Sequence, residues 1–507
     1  MKSIVILYDS GSGYASEKVF DGKSAKDRTL EWARSVADDV VTLGGCGNVR
    51  ALLERMAACA AENHADDVIF SFDDVPFINA DLTGRLLAQH RKYHTEYTFA
   101  DGYPLGFAPE IINSQALAIM AGLSAGNLSE AGAKKIAHSA IGDFVRSDIN
   151  AFEVETFIAP DDWRLYRFEF CAKTKADFLA CRALYESCKN QGKNPDDFGP
   201  DALSELASNS VAVLKTLPKF YSIQICDEIN HAALYNPPCA KSEGKKSAMP
   251  FEDFDLLIKK ISDFSEDAVV SLSVWGEPLR HPDFLRIARR VLSCPELSLF
   301  IETDGLLVTD EICGALKSYL ESAPESSKNP YPKLMIAVQL DAFTKEGYAK
   351  VRADARDGDF ERAMGAVCAL CGAVPGSVHP QFVRMNENES ELEGFFRFWS
   401  EKTSPSGGNV IIQKYDDFAG LLPPRKPADL SPLERYVCWH LRRDMTILCN
   451  GDVPACRTCL NQEAAGNAIT ENLESVWRRN DALLESHIKN KLNERCGKCD
   501  EYYIFNF

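Results

Sequence analysis

The stretch INHAALYNP, Ile229 to Pro237, separates a strand-like run, FYSIQI, from a long helical pattern, FEDFDLLIKKISDF. Further apolar runs follow it at intervals: AVVSLSVW, LSLFIET, KLMIAVQL, VHPQFVRM and NVIIQKY. Helical patterns such as DFLRIARRVL lie between them. Short, continuous apolar runs alternating with amphipathic helices predict parallel strands joined by helical crossovers. Six such strands fit a partial or complete β/α barrel over residues 216–425. INHAALYNP is then the loop after the first barrel strand, and its polar residues belong at the strand end rather than in the core.

Upstream, residues 1–215 form a second α/β alternation. SIVILY is a short apolar strand, DRTLEWARSVA and VRALLERMAACAAE have helical spacing, and DDVIFSFDDVPFI is a strand ending in acidic residues. ADLTGRLLAQHRKYH is an amphipathic helix, with Asp81 near its start suiting the helix dipole. Ligands of such sheets sit beyond the carboxyl ends of the strands. The glycines Gly11 and Gly13, after the first strand, and Asp73 and Asp74, after the second, occupy that edge. The polar segment QGKNPDDFGPDALSELASNS marks the boundary with the barrel, and LLPPRKPADLSP is a proline-rich hinge before a third region, 426–507.

The chain of 507 residues is long enough for about two to four domains. Hydrophobic residues make up 45% and charged residues 26%, an ordinary balance for a soluble globular protein. The net charge of -18 argues against nonspecific binding to nucleic acid or to anionic membranes, which needs clustered Lys and Arg. No apolar run is long enough to span a bilayer, and the first strand is not followed by a cleavage site, so a cytoplasmic location is expected. A small molecule or nucleotide is the expected partner; no protein partner is legible.

Seventeen cysteines are many for a reducing compartment. Eleven are scattered from Cys46 to Cys371 and read as small hydrophobes; six lie between Cys438 and Cys499. In this tail, MTILCNGDVPAC reads as two strands joined by a tight turn at Asn450-Gly451. TENLESVWRRN reads as a short helix capped by Thr470, with Leu473, Val476 and Trp477 on one face. Two sets of four thiolates are available. Cys438, Cys456, Cys496 and Cys499 form one; Cys456, Cys459, Cys496 and Cys499 form the other, a paired CxxC arrangement of zinc-ribbon type.

The order of Cys438, the step from Gly451 to Cys456, the segment GNAITENLESVWRR and the closing CxxC resembles the SPASM or twitch extension of radical SAM enzymes. That resemblance implies one auxiliary 4Fe-4S cluster on Cys438, Cys456, Cys496 and Cys499, with Cys459 as neighbour or alternative ligand and zinc as the alternative metal. Upstream, VWGEPLRHPDF is similar to the radical SAM GEP motif, whose strand-end backbone meets the amino group of S-adenosylmethionine, so Gly276, Glu277 and Pro278 are cofactor-binding candidates. The same three residues also suit a tight strand-end turn without ligand. INHAALYNP aligns without gaps with the family's Cys-Asn-x-x-Cys-x-x-Cys-Pro. Asn230, Tyr235 and Pro237 are kept, while Ile229, Ala233 and Asn236 stand where the cysteines would. Radical chemistry needs three thiolates there to leave one iron open. Cys226 and Cys239 flank the loop without rebuilding that spacing. The expectation is a barrel that does not cleave S-adenosylmethionine.

SFDDVPFINADLTGRLLAQH, YTFADGYPLGFAPEII and DWRLYRFEFCAKTKADFLACRALYE resemble the sugar-nucleotide cytidylyltransferases and their spore-coat relatives. That resemblance implies a GT-A-type nucleotidyltransferase-like sheet and Mg2+ with a nucleotide at Asp73 or Asp74, beside Gly11 and Gly13. The combination resembles the spiro-SPASM family: nucleotidyltransferase-like domain, radical SAM-like partial barrel, cysteine-rich SPASM domain. The leading expectation is an iron-sulfur protein; a sugar nucleotidyltransferase and a zinc-binding scaffold are the alternatives.

Overall fold

The computed structural model describes residues 1–237, 248–324, 331–459 and 464–503. The chain folds as two compact units, Met1–Thr216 and Leu217–Phe507.

The first unit is built on a six-stranded sheet. Its strands are β1 (Ser3–Tyr8), β2 (Asp39–Leu43), β3 (Asp67–Phe72), β4 (Tyr97–Asp101), β5 (Glu110–Asn113) and β6 (Val154–Ile158). They lie in the order β2-β1-β3-β5-β4-β6. β1 pairs in parallel with β2 and β3, whereas β5 runs antiparallel to both its neighbours. β1 and β3 sit at the centre of the parallel half. SIVILY and DVIFSF are accordingly apolar almost throughout, because both faces are covered. The helices that cover them start at short polar side chains accepting backbone N–H groups. Ser24 and Asp27 form a reciprocal capping box ahead of Ala25–Val36, and Asn79 caps Ala80–Tyr93.

The second unit contains a seven-stranded sheet. Six of its strands are β7 (Phe220–Ile223), β8 (Ala268–Leu272), β9 (Leu297–Thr303), β10 (Leu334–Gln339), β11 (Val378–Arg384) and β12 (Ile411–Lys414). The seventh, β13 (Asp444–Ile447), comes from the cysteine-rich tail and pairs in parallel with β7. The order β12-β11-β10-β9-β8-β7-β13 is open, a partial barrel with every pairing parallel. Side-chain alternation sorts each strand. On β9, Leu297, Leu299 and Ile301 join the core under the helices, while Phe300 and Glu302 point to the concave face. β13 obeys the same rule: Met445 and Ile447 enter that core and Asp444 faces inward.

Two readings of the tail need correction. MTILCNGDVPAC is not a two-stranded hairpin. Gly451 N–H does close a tight turn on the Leu448 carbonyl at 2.8 Å. The run before the turn nevertheless pairs with β7, and the run after it, β14 (Asp452–Val453), pairs with β15 (Gly466–Asn467). An alternating strand pattern does not say which edge it will meet, and β13 covers the edge that β7 would otherwise expose. The helix Leu473–Arg478 is capped by Asn472, which accepts from Ser475 N–H, rather than by Thr470, which bonds Asn467 instead. Leu473, Val476 and Trp477 are buried and share the barrel core. Lys260, from the helix Phe251–Ser265, donates to the carbonyls of Ala468, Ile469 and Glu471 at 2.7–3.0 Å, so the tail is bonded to the barrel as well as packed on it.

Candidate functional site

The first barrel loop is held by its own side chains. Asn230 donates to Asp304 at 3.0 Å and accepts from Arg280 at 2.6 Å. His231 Nε2 lies 2.9 Å from the Asp359 carboxylate. Leu234 N–H reaches the Val351 carbonyl, and the Asn236 amide folds back on the loop. Tyr235 ends in a buried cluster: its hydroxyl donates to Asp341 at 2.8 Å, and Arg352 pairs with the same carboxylate at 2.7 Å. Ile229 and Ala233 fill apolar wall. The positions resembling cysteine ligands are thus knitted into the barrel mouth without sulfur. Cys226 is buried beneath the loop, and Cys239 lies outside the described residues.

Gly276, Glu277 and Pro278 form the turn after β8. A Cβ on Gly276 would stand 1.8 Å from the Cys226 carbonyl oxygen, so only glycine lets the two strand ends approach this closely. Glu277 is buried and accepts from Leu279 N–H, Asp304 N–H and the Thr303 hydroxyl. Burial, and then the charge of Asp304, pushes its carboxyl well above the usual range. This carboxyl ties the turn after β8 to the end of β9.

A cavity of roughly 470 Å³ opens on the concave face, within the usual range for a small-molecule site. Its walls carry both signs of charge, Glu302, Asp304 and Asp416 against Lys414, Arg443 and Arg457, and no described lining residue is a cysteine. Glu302 and Gln413 share the Gln381 amide at 2.9 Å each. Asp416 is buried, and its carboxyl is pushed up to about 7 by that burial and by Glu501, against the pull of Arg457. Of these polar residues only Asp304, in IETDG, stands out in the sequence. The signal was there, however, in strands that end on polar groups, as in QLDAF and QKYDD.

Neighbours of the tail cysteines, His440, Arg457 and Tyr503 among them, line this cavity. Cys438 caps the short helix Trp439–Arg443 and is buried; burial pushes its thiol up to about 12, although the N–H groups of Leu441 and His440 face the sulfur. His440 and Asp444, on the cavity wall, pair at 2.5 Å just beyond it. Cys456 is pulled down to about 6 by hydrogen bonds from Cys459 and Thr458, and the Cys456 and Cys459 sulfurs lie 3.5 Å apart. The next residue, Arg457, pairs with Asp416 at 3.6 Å. Cys496 lies within the short helix Glu494–Lys498, and Cys499 is the residue that ends it. Asp500 and Glu501, which follow, hold Lys414 at the end of β12 at 2.8 and 2.6 Å. Each sulfur-bearing segment is therefore anchored by an ion pair within the same unit. The five sulfurs converge far enough to feel one another: Cys438 senses Cys456 and Cys496, Cys499 senses Cys438 and Cys456, and Cys459 senses Cys456 and Cys496.

In the first unit, Gly11 has φ +68 and lies in the turn after β1. Gly13 precedes the helical turn Tyr14–Ser16. Asp73 meets this loop by accepting from Ser10 N–H at 3.0 Å. Its carboxylate is also paired with Lys26 at 2.9 Å, and Lys26 pairs with Asp9 at 2.7 Å. Asp74 turns the other way, toward His138 at 2.8 Å. The two neighbouring carboxylates do not converge on one point.

Residues 438–500 match the SPASM family, described as an iron-sulfur cluster-binding domain. An uncharacterized protein of Treponema pallidum (strain Nichols) is 38% identical over 374 residues, covering 73% of this chain and 99% of that one. The spore coat polysaccharide biosynthesis protein SpsF of Bacillus subtilis (strain 168) is 22% identical over 163 residues, 32% of this chain and 64% of SpsF. Among solved structures, Streptococcus suis SuiB bound to precursor peptide SuiA is 15% identical, with a TM-score of 0.42 over 68% of this chain and 88% of its own. A cytidylyltransferase from Leptospira borgpetersenii serovar Hardjo-bovis is 16% identical, with a TM-score of 0.31 over 41% of this chain and 93% of its own. No helix among the described residues is long and apolar enough to cross a membrane. The chain belongs to the family of that Treponema pallidum protein, and its residues 438–500 carry a SPASM iron-sulfur cluster-binding domain.

Proposed function

We propose that this chain is an iron-sulfur protein carrying one 4Fe-4S cluster on Cys438, Cys456, Cys496 and Cys499, and that its barrel binds a small polar molecule without cleaving S-adenosylmethionine. The observation that carries the second half is the first barrel loop. Asn230, His231 and Tyr235 commit it to Asp304, Asp359 and Asp341, and among the described residues no thiol lines the cavity beneath it. Three thiolates would have to come from elsewhere to hold an open-sited cluster there.

The donor set of the tail fits an iron-sulfur core. A tetrahedral zinc site with bonds of about 2.3 Å would draw its sulfurs to within about 4 Å of one another. Cys456 and Cys459 approach that spacing, yet no three of the tail sulfurs lie within 4.8 Å of each other among the described residues. A cubane spreads its thiolates more widely and would supply a one-electron centre. Cys438, Cys456, Cys496 and Cys499 would hold it, and Cys459 would donate to the Cys456 sulfur. Nucleotide transfer by the first unit has less support, since Lys26 already neutralises Asp73.

The test of the barrel is direct. Anaerobic protein reduced with dithionite and given S-adenosylmethionine is expected to yield no 5′-deoxyadenosine above the protein-free background. Formation of stoichiometric 5′-deoxyadenosine would overturn the reading.

A further inference from the structure

A second metal centre is suggested by the first unit, far in sequence from the tail. Asp74, His138 and Cys171 come from three separate segments: the turn after β3, the approach to the helix Ala140–Arg146, and the run before the helix Lys175–Asn190. One ligand-type atom from each lies within 4.8 Å of the other two. Asp74 and Cys171 are fully buried, and the His138 side chain is 13% exposed.

The surroundings fix all three. The Asp74 carbonyl accepts from Ala172 N–H at 2.7 Å, clamping the cysteine segment to the aspartate turn. The His138 ring stacks on Phe72 with centroids 4.0 Å apart. Gly106 lets the backbone at Phe170 approach, since a Cβ there would stand 2.5 Å from the Phe170 carbonyl oxygen. An aspartate-histidine pair alone would account for Asp74 Oδ1, which lies 2.8 Å from His138 Nε2. It leaves Asp74 Oδ2 fully buried with no hydrogen-bond partner, which is costly for a carboxylate oxygen. It also leaves unexplained why a thiol is the third member.

We propose that Asp74, His138 and Cys171 bind one divalent transition metal of the zinc class. One oxygen, one nitrogen and one sulfur suit a borderline ion, whereas Mg2+ and Ca2+ take oxygen ligands almost exclusively. Ligands about 2.0–2.3 Å from a tetrahedral ion stand roughly 3.3–3.8 Å apart, so the cluster needs only small shifts to close. Three protein ligands leave a fourth position. His138 also lines a cavity of roughly 220 Å³ walled by Phe70, Phe72, Tyr97 and Phe99, and a water or small ligand there would complete the shell.

The full-length, cluster-loaded protein is titrated with Zn2+ and analysed for zinc and iron after gel filtration, with Asp74→Asn, His138→Ala and Cys171→Ser alongside. The expected result is one tightly held zinc per wild-type chain, lost in all three variants with iron unchanged. With Co2+ in place of Zn2+, a sulfur-to-cobalt charge-transfer band is expected in the wild type and in Cys496→Ser, and not in Cys171→Ser. Zinc retained by Asp74→Asn, displacement of zinc by millimolar Mg2+, or a cobalt band that depends on Cys496 and not on Cys171 would each overturn the proposal. Asp74→Asn preserves size and the hydrogen bond to His138, so it decides the matter if Cys171→Ser does not fold.

Discussion

Cys438→Ser is expected to lose essentially all cluster iron, falling from about four per chain to below one, while Cys459→Ser keeps it. The two sulfurs have different surroundings. Cys438 is buried at the start of a helix whose first N–H groups face its sulfur, the arrangement that steadies a metal-bound thiolate. Cys459 sits 3.5 Å from the Cys456 sulfur and acts on it by hydrogen bonding. Serine at 459 keeps a donor in that place. Iron and sulfide analysis of the two variants, purified side by side without oxygen, is the check. Retention of iron by Cys438→Ser with loss in Cys459→Ser would assign the paired CxxC set instead. Because ligand binding and folding are linked, the iron-free variant is also expected to loosen the tail, seen as faster proteolysis of the C-terminal region.

Asp341→Ala is expected to be the most damaging substitution away from the cysteines, at about 3–5 kcal/mol. Asp341 is fully buried and its two oxygens serve three groups: Val383 N–H, the Tyr235 hydroxyl and Arg352. Removing it strands the Arg352 guanidinium, itself 1% exposed, in the barrel interior. It also releases Tyr235 and with it the first barrel loop. At about 2–4 °C per kcal/mol for a unit of this size, melting of the barrel should fall by about 10 °C. Differential scanning calorimetry reads this directly; a fall of less than about 2 °C would show that the ion pair does not hold the loop.

Much of the barrel could be read because its strands are buried on both faces and leave continuous apolar runs, as in LSLFIET and KLMIAVQL. The first unit was less legible. β2 and β6 are only half-buried, so DVVTL and VETFI carry no strong period, and β5 reverses direction in a way no local pattern announces. β13 was recognised as a strand but given the wrong partner, since its pattern fits either edge. Arg352 lies in the stretch YAKVRADARD, which reads as an exposed, charged helix end; only the approach of Tyr235 and Asp341 shows that it is buried. Asp74, His138 and Cys171 could not be grouped from the sequence, because nothing short of the folded sheet brings them together. The cysteines of the tail stand out by their concentration between Cys438 and Cys499, the stretch that matches the SPASM family.

The central claim is a single iron-sulfur site in the tail above a barrel loop that holds none. Iron, acid-labile sulfide and zinc per chain, measured with the visible spectrum on anaerobically reconstituted protein, test it most directly. About four irons with matching sulfide, the content of one cubane, are expected. About eight irons would place a second cluster in the chain despite Ile229, Ala233 and Asn236. Zinc at the tail with no iron would contradict the account outright.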